Sequence, residues 1–213
     1  MKLSGEELIG LYSFLGHKYL NGIDLKYDTR KESKDDMVHR IITSYVDKVI
    51  LDSDNRFTKA GELLLKSIDS YAKATKKVLF NQMRIAVCDE DILIVFHLIR
   101  DEKYEISAVD IHLCNKNQLL NTIIREYPDI RKAYVPGRLN EKSKLQKKEF
   151  QAQIKDFSAK EMLFLGEDSQ KLVTDRIVYW NDEKCFCYYV QDEIRENIEV
   201  GSIRNMIWKL FTK

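Results

Sequence analysis

The stretch IAVCDEDILIVFHLIRDEKYEISAVDIHL, residues 85–113, decides how this chain folds. Its middle, ILIVFHLI at residues 92–99, is the densest apolar run in the sequence. A bilayer span needs ~20 apolar residues, so this run is too short to cross one. Its β-branched and aromatic residues read as a buried strand. RDEK at residues 100–103 reads as a polar turn. Beyond it, Tyr104, Ile106, Ala108 and Asp110 alternate with Glu105, Ser107, Val109 and Ile111, which places the two sets on opposite faces of a strand. The expectation is a β-hairpin with one buried strand and a half-exposed partner. That is the mark of a sheet carrying helices, and it announces no reaction.

The chain has 213 residues, enough for one large domain or two small ones. Hydrophobic residues make up 44%, sufficient for a core. Charged residues make up 32%, above the ~25% usual for globular domains. Lys and Arg (35) nearly cancel Asp and Glu (34), leaving a net charge of +1. That excludes a whole-molecule field for gripping nucleic acid or an anionic membrane. With 2 Pro and 8 Gly, long linkers are not expected. The opening MKLSGEELIGLYSFLG is acidic and amphipathic, with no basic n-region or small-residue cleavage site. It does not read as a signal peptide, so a cytosolic protein is expected. Cys88, Cys114, Cys185 and Cys187 then sit in a reducing compartment. The C-x-C spacing of Cys185 and Cys187 suits neither a redox pair nor a zinc half-site. Ordinary core thiols are expected.

Ser4 reads as an N-cap with Glu7 completing a capping box, for a helix with Leu8, Leu11, Tyr12 and Leu15 on one face and Gly16 ending it. Residues 19–34 read as a loop. A second helix starts near Asp35, its stripe Met37, Ile41, Tyr45 and Val49 widened by Val38, Ile42 and Val46 into a face expected to be well buried. Residues 49–57 read as a short strand, a turn at 52–55 and a return. Thr58 caps a third helix with Leu63, Leu64, Ile68, Tyr71 and Val78 inward, and with Lys73, Lys76 and Lys77 at its negative end. After the hairpin, Leu119, Leu120, Ile123 and Ile124 mark a helix stopped by Pro128, and Val135, Pro136 and Gly137 punctuate the chain.

The charged segment 138–155 reads as a solvated helix or a linker. Ser158 with Glu161 reads as the cap of another helix. Residues 176–180 and 184–191 read as strands joined by the polar 181–183, residues 192–197 as a turn, and 198–200 as a short third strand. Ser202 caps a closing helix with Ile203, Ile207 and Leu210 on one side.

One α+β domain over 1–213 is therefore expected, with halves of about 1–137 and 156–213 joined by 138–155. LSGEEL at 3–8 parallels FSAKEM at 157–162, and the run at 91–102 parallels 182–193. Either a duplication or the shared habits of any two α+β halves accounts for this. A duplication would join two hairpins into one antiparallel sheet.

No catalytic pattern stands out in the sequence. The chain has no G-x-x-x-x-G-K-[ST], G-x-G-x-x-G, H-E-x-x-H or G-x-S-x-G. His17, His39, His97 and His112 are scattered. His97, on an apolar strand, reads as a packed or surface-facing imidazole. Asp52 with Asp54 and Asp89 with Asp91 lack the Gly and distal Glu of a calcium loop. No catalytic residue, cofactor or metal is expected.

VILDSDNRFTKAGELLL at residues 49–65 also reads like part of a winged-helix DNA-binding domain. Its recognition helix would set Arg40 and Lys48 against Asp35, Asp36 and Asp47, a poor match to phosphate. A protein-binding module is the other reading. Here L-S-x-x-E-L, then V-I-x-D-x-x-x-x-F-T-x-x-G-x-x-L-L, then Y-x-x-A at 71–74 and a hairpin resemble the EspG-like chaperones of type VII secretion, closest to the EsaE-type proteins of Gram-positive bacteria. The motifs cover about the first half of the chain, and the order of elements covers the rest. The resemblance implies one antiparallel sheet of two pseudo-symmetric halves flanked by helical bundles. It implies a cytosolic, non-catalytic chaperone, without cofactor, that binds a WXG-type or LXG-type helical substrate or its small helical co-factor and presents it to the secretion ATPase. No nucleic acid and no stable membrane insertion are implied. No family residue carries over by motif. The residues nominated for a partner are the first tip (Arg100, Asp101, Glu102, Lys103, Tyr104), the second (Asp192, Glu193, Ile194, Arg195), and Ile207, Trp208 and Leu210 of the last helix. Trp208 is either an exposed anchor or a core residue.

Overall fold

Ser4 sets the first element. In the computed structural model, which describes residues 1–25, 33–89, 91–132, 141–168 and 171–212, strand β1 (Lys2–Ser4) runs directly into helix α1 (Gly5–Phe14). The Glu7 amide donates to Ser4 Oγ at 3.2 Å, and the Glu7 carboxylate accepts from the Ser4 amide. This is the expected capping box, which satisfies two helix-end donors at once. Helices α2 (Lys34–Asp47) and α3 (Lys59–Lys73) follow, capped by Ser33 and Thr58. Then come strands β2 (Lys76–Phe80), β3 (Met83–Val87), β4 (Leu93–Arg100) and β5 (Ile106–Cys114). Helix α4 (Lys116–Glu126) and a 3₁₀ turn (Pro128–Arg131) come next. The chain continues with β6 (Lys142–Lys144), α5 (Lys147–Asp156), β7 (Glu161–Glu167), β8 (Arg176–Trp180), β9 (Cys185–Tyr189), β10 (Ile194–Asn197) and α6 (Ser202–Leu210).

Among the described residues ten strands form one antiparallel sheet, in the order β1-β5-β4-β3-β2-β7-β8-β9-β10-β6. Read outward from the β2–β7 join, one half gives β2, β3, β4, β5, β1 and the other β7, β8, β9, β10, β6. Each half is a four-stranded meander followed by a helix, α4 or α6. Each meander's outer edge is closed by the short strand that preceded it in the chain and led into α1 or α5. Among the described elements α2, α3 and the 3₁₀ turn have no counterpart. The fold is α+β, with two pseudo-symmetric halves in one sheet. The hairpin of residues 85–113 is β4–β5, with Phe96 opposite Ile111 and His97 opposite Asp110.

Several expectations fail, each for a local reason. Val78, Lys76 and Lys77 do not extend α3: the backbone leaves the helix at Ala74, and these residues form β2. A two-residue turn at Asn81 and Gln82, with Asn81 at φ +50°, joins β2 to β3. Ser158 caps no helix. It stands at φ +50° beyond α5, and Glu161 opens β7, which pairs with both β2 and β8. The parallel between LSGEEL and FSAKEM therefore joins unlike elements. The charged segment 138–155 is no linker in its described part: residues 142–144 pair with β10, and the helix reading holds over 147–155, in α5, where only Phe150 is buried. Residues 194–197 are strand β10 rather than turn, and 198–200 form no strand. Ser202 is no acceptor cap, because its hydroxyl donates to Glu199 O at 2.6 Å. The strands expected about the 52–55 turn shrink to one bridge, Leu51 to Phe57.

Helix α2 is less buried than its stripe predicts. Of its residues only Tyr45 is buried, and Val49 lies beyond the helix, exposed at φ +58°. The helix packs on α1, where the Tyr45 hydroxyl donates to Glu7 O and the lack of a side chain at Gly10 makes room for its ring. Leu63, expected inward, is exposed on α3. The punctuation at 135–137 lies outside the described residues. So does 26–32 of the 19–34 loop, while Leu20 and Ile23 in its described part are buried.

One sheet face packs on α4, the 3₁₀ turn and α6: Val78, Val95, Leu163 and Trp180 meet Ile123, Ile130, Ile207 and Phe211. Cys185 and Cys187 lie in this core, where burial pushes both thiols up to about 12. The other face carries two separate clusters. Helices α1 and α3 cover Ile94, Phe96, Leu98 and Val109 in the first half. Helix α5 covers Tyr179 and Tyr188 in the second, with Phe150 stacked on Tyr188 at 4.1 Å.

Candidate protein-binding surface

The β4–β5 tip is a turn closed by its own hydrogen bonds. The Asp101 amide donates to Glu105 O at 2.9 Å and the Tyr104 amide to Asp101 O at 3.0 Å. Asp101 Oδ1 accepts from the Lys103 and Glu105 amides, each at 2.9 Å, and Arg100 Nη1 donates to Tyr104 O at 2.6 Å. An aspartate bonding its own turn in this way is a common nucleus for such bends. The turn fixes Tyr104 at φ +61° and leaves it 81% exposed; Glu102 and Lys103 are exposed beside it.

The β9–β10 tip occupies the equivalent place in the second half and also contains a left-handed residue, Glu193 at φ +53°. Asp192 and Glu193 are exposed. Glu193 also steadies the start of α5, accepting from the Leu145 amide at 2.8 Å and the Lys147 amide at 3.3 Å. Ile194 and Arg195 belong to β10 and are half-buried. The Arg195 guanidinium lies 4.8 Å over the Phe186 ring and donates to Gln153 Oε1 at 3.0 Å. On the last helix Ile207 and Leu210 are buried in the core, so neither is available to a partner. Their helical spacing marked the inward stripe. Trp208, one position off it, is exposed. The nominated residues therefore do not form one patch by their own contacts.

His97 is surface-facing on β4, opposite Asp110, and His112 Nε2 lies 3.2 Å from Asp110 Oδ2. Among the described residues no group of His, Cys, Asp or Glu could hold a metal ion.

A feature the sequence reading missed lies on the face away from α4 and α6, over the β2–β7 join. A cleft of about 360 Å³ is lined by Leu79, Asn81, Arg84, Met162, Phe164 and Thr174, among others. Asn81 locks its rim: Oδ1 accepts from the Phe164 amide at 2.7 Å and Nδ2 donates to the Tyr127 hydroxyl at 2.8 Å. Arg84 is 8% exposed. Its Nε donates to Gly22 O at 2.8 Å, and its Nη1 to Asn81 O and Met83 O at 2.9 and 3.1 Å. Burial lowers the guanidinium pKa, and its hydrogen bonds to described residues all go to main-chain carbonyls. Phe164 stays exposed although β7 is a central strand. The signals were present: a lone arginine in the apolar run MRIAV, and MLFL, apolar on both faces where one face suffices for a helix-covered sheet.

Fold and surface define the class: an α+β protein with a sheet of two equivalent halves. The chain belongs to the family whose model is described as Domain of unknown function (DUF5081), which matches residues 1–212. No curated protein matches it. Among the described residues no helix is long and apolar enough to cross a membrane.

Proposed function

We propose that this chain is a non-catalytic cytoplasmic chaperone or adaptor that binds WXG-type or LXG-type helical secretion substrates and delivers them to the type VII secretion machinery. The observation that carries the reading is the sheet itself. Its two halves, joined at β2 and β7 and flanked by helices, have the architecture that the resemblance to EspG-like chaperones implies. Uncovered apolar side chains on that scaffold, Phe164, Tyr104 and Trp208 among them, give a helical client surface to bury. The chaperone would act by covering apolar helix surface that otherwise aggregates.

The winged-helix reading has less support. Both cations nominated for the recognition helix face carboxylates of α1, Arg40 of α2 at 2.7 Å from Glu6 and Lys48, just beyond α2, at 2.5 Å from Glu7. Co-expression with the small helical secretion substrates encoded nearby, followed by pull-down, tests the proposal. A stable complex with one of them is expected. Capture of none, with a salt-dependent shift of a DNA fragment, would favour the regulator.

A further inference from the structure

We propose that the cleft over the β2–β7 join receives one amphipathic helix of a partner protein, which lays an apolar side chain on Phe164 and a carboxylate at Arg84. This rests on the chaperone reading and locates the docking surface within it.

The internal symmetry supplies the first support. The β2–β7 ladder pairs Val78 with Glu167, Leu79 with Gly166 and Phe80 with Leu165, so the middle pair lies on the pseudo-twofold. Two residues back from each member are Lys77 and Phe164 (79 − 2 and 166 − 2), which are therefore equivalent positions. Val78 and Leu165 point into the core beneath α4 and α6, so Lys77 and Phe164 point to the opposite face. Lys77 is 2% exposed because α3 ends over it, and its Nζ donates to Ala74 O at 2.6 Å and Ala72 O at 3.3 Å. Phe164 is 39% exposed, because the second half has no counterpart of α3. A position that a helix covers in one half is left partly open in the other, and a helix supplied by a partner completes the layer.

Charge supplies the second support. A nearly buried guanidinium whose hydrogen bonds to described residues all go to carbonyl oxygens is a costly arrangement, which a carboxylate relieves. Arg84 lines the same cleft as Phe164. The occupant is thus a helix with an Asp or Glu beside its apolar stripe.

The test uses the full chain and the helical secretion substrates named above as probes. Phe164→Asp removes the apolar contact and sets a carboxylate in the cleft with Arg84, in competition with the partner's. It should weaken capture about tenfold or more, with a thermal melt showing that the variant is still folded. Val38→Ala, at an exposed apolar position on α2, should leave capture as in the wild type. A benzophenone amino acid at position 164 should crosslink to the substrate, which guards against a variant that fails to fold. Neutralising one carboxylate on the captured helix should also weaken capture about tenfold. Capture by the wild type with no loss in Phe164→Asp and no adduct at 164 would overturn this docking site and leave the chaperone reading standing. Capture of no substrate by the wild type would overturn both.

Discussion

The two halves of the sheet share a strand plan and differ in their cover. In the first half α1 and α3 bury Leu3, Leu8, Ile68, Tyr71, Ile94 and Phe96 in one large cluster. In the second, α5 alone buries Leu145, Phe150, Tyr179 and Tyr188. The shared face beneath α4 and α6 runs across both. Strand order therefore fixes the topology, while the helices laid on afterwards decide how much sheet each half shows to water. Local stability follows buried apolar area, so the second half should be the looser one on its α5 face.

The join offers the hardest way to break that comparison. A Cβ on Gly166 would stand 2.0 Å from Val173 O, which is main chain and cannot swing aside. Gly166→Ala should cost about 4 kcal/mol, read as a shift in the urea midpoint. A wild-type midpoint would mean that the segment between β7 and β8 shifts at little cost. Next is Phe150→Ala, which removes the ring stacked on Tyr188. It should cost about 3 kcal/mol and release the α5 amides to hydrogen exchange while those of α1 and α3 stay protected. Equal loss in both halves would show one cooperative unit.

Smaller effects sharpen the picture of the first half. Burial alone would raise the pKa of the Glu7 carboxyl. Hydrogen bonds from Lys48, Ser44 and the Ser4 amide, with the Lys48 charge, outweigh it and hold the value below 4.5. A carboxyl with a depressed folded-state pKa stabilises above its unfolded value, and that contribution is lost as pH falls through the folded value. Glu7→Gln should therefore cost about 1 kcal/mol at neutral pH, since Lys48 is partly solvated. The gap should close on acidification below 4.5. A gap independent of pH would assign the effect to packing. The smallest change is Tyr104→Gly, which relieves a left-handed backbone at φ +61°. It should raise stability by about 0.5 kcal/mol, seen in a thermal melt. A loss would mean that the tyrosine ring packs.

Dense local patterns made much of this readable from sequence. The capping box at Ser4, the run at 92–99 and the alternation after it all fix their elements without help from distant residues. The join was hidden because its strands imitate helix. Lys76, Lys77 and Val78 follow a helix in phase, and Ser158 with Glu161 copies a cap. Pairing of β2 with β7 across a long sequence separation overrode both local preferences. The short β6 was hidden by its lysines, which look like solvated surface until β10 is beside them. Of the nominated surface, the first tip was readable because a polar turn between two apolar strands must be exposed. Ile207 and Leu210 were misassigned because an apolar stripe reads the same whether it meets a core or a partner.

The outermost strands set how this protein meets its own copies. A sheet with a long bare edge invites the next chain to add a strand, and natural sheets blunt that edge. Here β1 is only Lys2–Ser4, and β6 is Lys142, Ser143 and Lys144. A neighbour aligning on β6 would gain a few backbone hydrogen bonds and bring its own lysines against these. Growth by edge addition is thus discouraged at both ends of the sheet, and the faces, rather than the edges, are left as the places where another protein can settle.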